Sequence, residues 1–96
     1  MKFEWDHKKE QANIQKHAIS FEQAAYAFSD PYALNQYDSP HSDSEDRWLL
    51  LGKAMNEVIL VVVHTLRDQN NCEFVRIISA RKATKNEQIA YQKRRP

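Results

Sequence analysis

Apolar residues recur along this chain with two different periods, and the changes of period predict an order of elements. Phe3 and Trp5 alternate with polar neighbours, which predicts a short N-terminal strand. Asp6 can cap a helix that runs from about His7 to Lys16. Polar residues recur on this helix at spacings of three and four, so we expect a surface helix with one polar stripe formed by Lys9, Asn13, Lys16 and His17.

The second helix has a stronger signature. Ser20 and Gln23 have the spacing of a capping box. The apolar residues that follow have the spacing of a core-facing helical stripe, namely Phe21, Ala24, Ala25 and Phe28. Asp30-Pro31 ends the helix, because proline disfavours a helical residue before it.

The rest of the chain is mostly of strand type. Residues 32–37 and 45–51 predict two strands, with a loop over 38–44 between them. Val58–Val63 is apolar at every position and predicts a central strand covered on both faces. We expect a turn over Gly52–Glu57, a polar turn over Leu66–Asn71 and a last strand over Phe74–Ser79.

A C-terminal helix closes the order of elements. Thr84 and Glu87 form a second capping-box pattern, and a helix is predicted from Lys85 to about Arg94. The fold class is therefore α+β, with N-terminal helices packed on an antiparallel β-sheet and a helix at the C-terminus. A chain of 96 residues predicts a single domain over residues 1–96.

Charge is close to balanced overall but not along the chain. The net charge of +1 argues against a general nucleic-acid coat protein. Residues 30–46 contain five carboxylates and no Lys or Arg, whereas residues 76–96 contain seven Lys or Arg and only Glu87 as an acid. Such asymmetry predicts a basic face for an anionic partner, unless the two segments neutralise each other in the fold.

Several classes of protein are disfavoured by the composition. The single cysteine, Cys72, excludes an internal disulfide and fits a reducing compartment. The N-terminus lacks the apolar run of a signal peptide, and the longest apolar run is too short to span a membrane. We therefore expect a cytoplasmic protein with no membrane partner. The four histidines and Cys72 lack the close spacing of a zinc site, so no metal or cofactor is expected.

The junction between the last strand and the last helix is the first place where chemistry is indicated. Arg76 and Arg81 lie on and just after the strand, and the helix start offers free N–H groups. Guanidiniums beside a helix N-terminus suit a phosphate. The alternative is a structural corner whose arginines pair with carboxylates. In a regular strand the two arginines face opposite sides, which weakens a shared site.

Cations from other elements can complete a site for RNA cleavage. RNA is cut when its 2′-hydroxyl attacks the adjacent phosphate, which requires proton transfer and stabilisation of charge on the phosphate. Arginine suits the second role and histidine the first. We therefore expect catalytic roles for His17, His64, Arg76 and Arg81, and RNA-binding roles for Lys16, Arg47, Lys82, Lys85 and Tyr91. Alternatively, His17 complements the dipole of its helix and His64 is a half-buried structural residue.

Segments spread over nearly the whole chain resemble the BrnT family of bacterial type II toxins. At the N-terminal end these are Phe3-Glu4-Trp5-Asp6, Lys16-His17 and Ser20-Phe21-Glu22. Further on they are Glu45-Asp46-Arg47, Val61-Val62-Val63-His64-Thr65 and Arg76-Ile77-Ile78-Ser79-Ala80-Arg81. One departure is Ala18, where the family typically has glycine, so that a left-handed helix cap there is strained.

The resemblance implies a RelE-like fold and an endoribonuclease that arrests translation by cutting RNA. It also implies a BrnA-like ribbon-helix-helix antitoxin, with operator DNA bound only through the toxin–antitoxin complex, which represses its own operon. Two alternatives remain from the residues alone. One is a module that binds an acidic protein or nucleic acid without cleaving it. The other is a direct DNA binder, disfavoured because no helix-turn-helix or ribbon-helix-helix pattern is present.

Overall fold

The computed structural model describes residues 1–42 and 45–94, with Arg94 described by its backbone alone. Asp43 and Ser44 of the predicted loop, and Arg95 of the basic segment, lie outside the described residues. The α+β class is confirmed: a five-stranded sheet is packed by helices, and the last helix is C-terminal. The helices are α1 (His7–His17), α2 (Phe21–Tyr26) and α3 (Lys85–Arg94), and the strands are β1 (Lys2–Trp5), β2 (Leu34–Tyr37), β3 (Trp48–Lys53), β4 (Ile59–Gln69) and β5 (Cys72–Lys82).

The sheet has the order β1-β5-β4-β3-β2, and one of its pairings was not expected. The pairs β2–β3, β3–β4 and β4–β5 are antiparallel, as predicted. However, β1 pairs with β5 in parallel, from Lys2 opposite Phe74 to Trp5 opposite Ile77. The sheet is therefore mixed, because α1 and α2 let the chain cross from the β1 edge to the far edge before the antiparallel strands begin.

The predicted polar turn over Leu66–Asn71 is wrong, because β4 and β5 continue through most of it. The two strands form a hairpin of eleven residues each. Only Asn70 and Asn71 lie between them, with φ angles of 54° and 62°. Asparagine tolerates positive φ, and two such residues in succession match the right-handed twist of a hairpin.

Two apolar clusters cover the two faces of the sheet. One face packs against α1 and α2, with Phe21, Ala24, Leu60, Val62 and Ile77 at its centre. The other cluster lies under α3 and joins Tyr91 to Ile59 and Val61. This arrangement buries the central strand on both sides, as its uniformly apolar sequence predicts. We call the second face the α3 face; α3 contacts it mainly at the β3 end.

Both predicted capping boxes are present. The Ser20 hydroxyl accepts the N–H of Gln23 at 3.1 Å, and the Gln23 side chain accepts the N–H of Ser20 at 2.8 Å. At α3, Thr84 and Glu87 make the same reciprocal pair. Asp6 caps α1 by accepting from the N–H groups of Lys8 and Lys9. These local signals fixed the helix starts because each satisfies backbone donors that the helix leaves free.

Asn13 is not part of an exposed polar stripe, as the spacing predicted, but is buried against β5. β1 ends opposite Ile77, so the edge of β5 beyond it lacks a partner strand. The Asn13 amide occupies this place: it donates to the Ala80 carbonyl at 2.9 Å and accepts the Ala80 N–H at 3.1 Å. Its second N–H donates to the Ile19 carbonyl at 2.9 Å. One side chain thereby anchors α1 to the sheet edge.

Candidate active site

A β-bulge in β5 places Arg76 and Arg81 on the same face of the sheet. The ladder to β4 shifts between Val63 and His64: Ser79 lies opposite Val63, but Ile77 lies opposite His64, so Ile78 is the extra residue. Directly opposed residues share a face, and Thr65 and Val61, which lie opposite Arg76 and Arg81, both belong to the α3 face. The opposite faces expected for a regular strand are therefore not found.

The two arginines lie along the strand rather than side by side. Their partners on β4 are four residues apart, which corresponds to a separation of roughly 13 Å along the strand. Ser79 lies between them on the same face. Such spacing suits contact with neighbouring groups of an extended anionic chain.

Arg81 is held by Glu87 in a two-pronged ion pair. Nη1 donates to Oε1 at 2.8 Å and Nη2 donates to Oε2 at 3.0 Å. The hydrogen bonds from Arg81 lower the pKa of Glu87 to about 2, and those to Glu87 raise the pKa of Arg81. The Arg81 side chain as a whole is 41% exposed. The pair therefore fixes the position of a permanent positive charge while leaving it open to an anion.

Arg76 is exposed and lies in a groove where α3 does not cover the sheet. Within residues 1–42 and 45–94 it has no hydrogen-bond or ion-pair partner. Glu4 and Thr65 flank it on the neighbouring strands. The groove has a volume of about 390 Å³, and we call it the Arg76 groove; it is lined by Glu4, Glu45, Asp46, Thr65, Leu66, Arg67, Phe74 and Arg76.

Lys16 and His17 reach the bulge from the last turn of α1. They line a shallow pocket of about 300 Å³ together with Ile78 and Ser79. Asn13, one turn earlier, fixes this end of α1 to Ala80. Ala18 then ends the helix in the left-handed conformation at φ 58°, the conformation that the resemblance to a family with glycine at this position implied. Lys16 and His17 thus line the same pocket as Ser79, which lies between Arg76 and Arg81 along β5; neither arginine lines that pocket.

His64 is not brought to this site. Its side chain is fully buried on the face packed by α1 and α2, in edge-to-face contact with Phe28 at 4.7 Å between ring centroids. Nδ1 lies 3.0 Å from the Val62 carbonyl, and Nε2 has no partner among the described residues. Burial lowers the pKa of His64. A neutral imidazole enclosed on the opposite face cannot reach a phosphate on the α3 face, so its expected catalytic role has no geometric support.

The residues expected to bind RNA are distributed unevenly. Tyr91 is 1% exposed, and its hydroxyl donates to Asp30 Oδ2 at 2.5 Å, so it packs α3 onto the sheet rather than facing solvent. Lys82 and Lys85 are exposed near the strand-to-helix junction. Arg47 is half-buried immediately before β3, where its backbone N–H donates to the Ser42 hydroxyl at 3.0 Å.

Two contacts near the site were missed at the level of sequence. Asp30 accepts from Tyr91, from the Lys53 N–H at 2.8 Å and from the Tyr32 N–H at 2.9 Å, and these bonds lower its pKa although burial alone acts in the opposite direction. Arg67 lies over the ring of Phe74 at 4.8 Å and pairs with Glu4 at 3.2 Å. No sequence signal marked the second contact, because Arg67 fell within the residues predicted to form a turn and lies instead in β4, opposite Phe74.

No metal centre is formed by the described part of the chain, in which no group of three His, Cys, Asp or Glu side chains converges as metal ligands do. No helix in residues 1–42 and 45–94 is long and apolar enough to cross a membrane.

Comparison with known proteins identifies the family. The sequence model of the ribonuclease toxin BrnT of type II toxin–antitoxin systems matches residues 5–87. The chain belongs to the BrnT family. The match includes the whole of α1, α2 and the sheet beyond β1, together with Arg81 and Glu87. The family consists of ribonuclease toxins of type II toxin–antitoxin systems, in agreement with the endoribonuclease that the resemblance implied.

A solved BrnT structure supports the fold. The crystal structure of the Brucella abortus ribonuclease toxin BrnT matches with a TM-score of 0.61 and 24% sequence identity, over 88% of this chain and 99% of that one. No curated protein matches the chain. The BrnT family membership therefore rests on the sequence model, and the solved structure adds the shared architecture.

Proposed function

We propose that this BrnT family member cuts RNA at the bulge of β5 without using a metal ion. The 2′-hydroxyl of the substrate attacks the adjacent phosphorus, and the bond from phosphorus to the 5′-oxygen of the next nucleotide breaks. The products are a 2′,3′-cyclic phosphate and a free 5′-hydroxyl. The reaction needs a base for the attacking hydroxyl, an acid for the leaving oxygen, and positive charge near the phosphate.

Arg76 and Arg81 supply the positive charge in this proposal. The observation that carries it is the bulge at Ile78, since it turns both guanidiniums towards the α3 face with Ser79 between them. Arg81 is oriented by Glu87 before any substrate arrives. Arg76 is exposed and has no side-chain partner within residues 1–42 and 45–94, so that it can move onto a phosphate. Preorganised charge of this kind is worth roughly 3 kcal/mol per donor in the transition state.

His17 is the proton-transfer group that the geometry favours. It lies next to Ser79 in the shallow pocket at the end of α1, whereas His64 is enclosed on the other face. An imidazole can act as base and then as acid near neutral pH. Lys16 lies beside it and positions the strand of RNA, together with the exposed Lys82 and Lys85 and the half-buried Arg47.

The same proposal includes a cellular role, which is based on membership in the BrnT family. The toxin acts in the cytoplasm, arrests translation by cutting RNA and is neutralised by a BrnA-like ribbon-helix-helix antitoxin. The complex of the two binds operator DNA through the antitoxin and represses the operon. Support comes from membership in a family of type II toxins. Co-expression with the gene that accompanies the toxin, followed by an operator-binding assay with each protein and with both, tests this part.

Cleavage of labelled RNA in the presence of EDTA tests the catalytic part. We expect the wild-type protein to release fragments with cyclic phosphate ends. Arg76→Ala, Arg81→Ala and His17→Ala each lower the rate by about a hundredfold or more. Lys8→Ala, an exposed change on α1 outside this site, leaves the rate unchanged. Full activity of both arginine variants at equal amounts of folded protein would refute the site.

The competing function is a module that binds its ligand without catalysis. The Arg81–Glu87 pair favours this function if Arg81 serves only to hold α3 in place and does not contact a phosphate. The same labelled RNA separates the two, provided that a heat-denatured sample is run alongside. Retention of RNA by the wild-type protein, with no fragments above the denatured control, supports the binding module. Fragments that disappear in Arg76→Ala support the nuclease.

A further inference from the structure

The Arg76 groove contains groups that do not suit a phosphate. Glu4, Glu45 and Asp46 line it, and Asp46 is already an acceptor for the Tyr37 hydroxyl at 2.9 Å. Carboxylates repel an anionic backbone, so the part of the groove that they line must be explained by another part of the ligand. Carboxylates accept hydrogen bonds through two oxygens, and the edges of nucleobases donate N–H groups.

A flat cation stacked on an aromatic ring forms the floor of this part of the groove. The guanidinium of Arg67 lies 4.8 Å from the centroid of the Phe74 ring, and Glu4 fixes it from the side at 3.2 Å. More than half of the Arg67 side chain remains exposed. Arginine planes and aromatic rings are the surfaces on which proteins stack unpaired RNA bases.

Strand register places this platform directly beside the proposed phosphate site. Glu4, Arg76 and Thr65 form one row across β1, β5 and β4, and Phe74 and Arg67 belong to the next row on the same face. Neighbouring positions on one face are about 7 Å apart along a strand. A nucleotide whose phosphate contacts Arg76 can therefore place its base over Arg67. The volume of about 390 Å³ also lies in the ordinary range for small-ligand sites.

We propose that the Arg76 groove is a guanine-binding subsite, in which the base stacks on Arg67 and donates its N1 and N2 hydrogens to a carboxylate of the groove. Guanine is the common RNA base whose Watson–Crick edge offers two adjacent N–H donors, and these match the two oxygens of one carboxylate. The inference rests on the proposed nuclease function and deepens it, since it identifies the nucleobase next to the scissile phosphate. Of the three carboxylates that line the groove, Glu45 is assigned this role, because Glu4 and Asp46 already accept from Arg67 and Tyr37.

Titration with nucleosides tests the subsite apart from catalysis, because nucleosides carry no phosphate. Guanosine, inosine, adenosine, cytidine and uridine are added to the wild-type protein while backbone and arginine Nε resonances are followed by NMR. We expect guanosine to bind roughly ten times more tightly than adenosine or uridine, with shifts at Arg67 and Phe74. Inosine lacks the N2 donors and binds more weakly than guanosine.

Two arginine variants distinguish stacking from charge. Arg67→Lys keeps the positive charge but removes the planar group, so both Arg67→Lys and Arg67→Ala weaken guanosine binding roughly tenfold, the effect of one stacking interaction. Glu45→Gln removes the selectivity for guanosine over adenosine. Lys8→Ala is the control and binds guanosine as the wild-type protein does.

The outcomes separate this inference from the nuclease proposal. Equal affinity for all five nucleosides, no detectable binding, or unchanged guanosine binding in Arg67→Ala overturns the guanine subsite, whatever the RNA assay shows. The carboxylates of the groove would then favour an arginine-rich protein segment as its ligand. Selective guanosine binding by a protein that does not cut RNA would overturn only the nuclease function. Where both hold, mapped cleavage sites have guanine beside the cut, and Arg67→Ala loses that preference.

Discussion

Asn13 and Ala80, sixty-seven positions apart in the sequence, are joined by a pair of hydrogen bonds that resembles one rung of a β-ladder. The side-chain amide takes the place of a strand where β1 has ended. The position of α1, and with it that of Lys16 and His17 beside the bulge, depends on this contact.

Asn13→Asp should be more destabilising than its small change of shape indicates. The carboxylate can accept the Ala80 N–H but cannot donate to the carbonyls of Ala80 and Ile19, and a buried charge then faces two carbonyl oxygens. We expect a loss of at least about 3 kcal/mol in the free energy of unfolding, measured with urea at pH 7. Gln11→Glu, an exposed change on the same helix, serves as the control. Equal stability of the two variants would show that the amide donors contribute little.

His64 should make folding sensitive to mild acid. Burial lowers its pKa in the folded protein, so the unfolded chain binds the proton more readily. The neutral form therefore contributes stability that is fully present above about pH 6.5 and is lost as the pH falls below it. We expect a slope of up to about 1.4 kcal/mol per pH unit from this group. His64→Leu should remove that slope between pH 6.5 and 5 in urea titrations while retaining RNA cleavage.

The ion pair of Arg81 with Glu87 should make the stability of the fold depend on pH in a more acidic range than His64 does. The pKa of Glu87 is lowered to about 2 in the folded protein, so its contribution to stability is present above about pH 4.5 and is lost as the pH falls towards 2. Glu87→Gln should cost about 1–2 kcal/mol at pH 7, a figure reduced for the partial exposure of the pair. The difference from the wild-type protein should narrow to near zero at pH 2. A difference that does not change with pH would mean that the charge of Glu87 is unimportant.

Asp30 should be needed to hold α3 on the sheet. It accepts from the Tyr91 hydroxyl in α3 and from the backbone N–H of Lys53 in β3. Asp30→Ala removes both, together with the bond from the Tyr32 N–H, and hydrogen bonds to a charged acceptor contribute about 1.5–3 kcal/mol each. We expect a loss of about 3 kcal/mol overall, with faster amide hydrogen exchange in α3 than in α1. Uniform acceleration across all helices would instead indicate a global effect.

Ala18 should be a site where glycine stabilises the protein. Its φ of 58° is left-handed, and an alanine there is strained by roughly 1 kcal/mol relative to glycine. The side chain is exposed, so Ala18→Gly removes no packing. An increase of about 1 kcal/mol in the free energy of unfolding is expected. Ala12→Gly, in the interior of the same helix and also exposed, should decrease it by a similar amount.

Local sequence signals predicted the elements well because they describe interactions within a few residues. The capping boxes at Ser20 and Thr84 and the helix cap at Asp6 are all formed by neighbours in the chain. The parallel pairing of β1 was missed, since nothing in Phe3 or Trp5 indicates which strand will lie beside them. The end of β4 was missed for another reason: polar strand residues in an exposed hairpin resemble a turn.

The site was harder to predict than the elements. Arg76 and Arg81 were identified by residue type, but their shared face depends on a bulge at Ile78 that no residue pattern marked. His64 was expected at the site but lies buried against Phe28 on the other face, and the sequence could not show this because a histidine after an apolar strand can belong to either face. Tyr91 illustrates the same limit, since an aromatic residue in a weakly amphipathic helix gives no sign of whether it packs inward.

Glu87 has two tasks at once, because the carboxylate that orients Arg81 also closes the first turn of α3 on Thr84. Unwinding of that single turn would release the guanidinium from its fixed direction. Formation of α3 and orientation of Arg81 are therefore coupled, so the folding chain acquires its oriented arginine only when the first turn of α3 has formed.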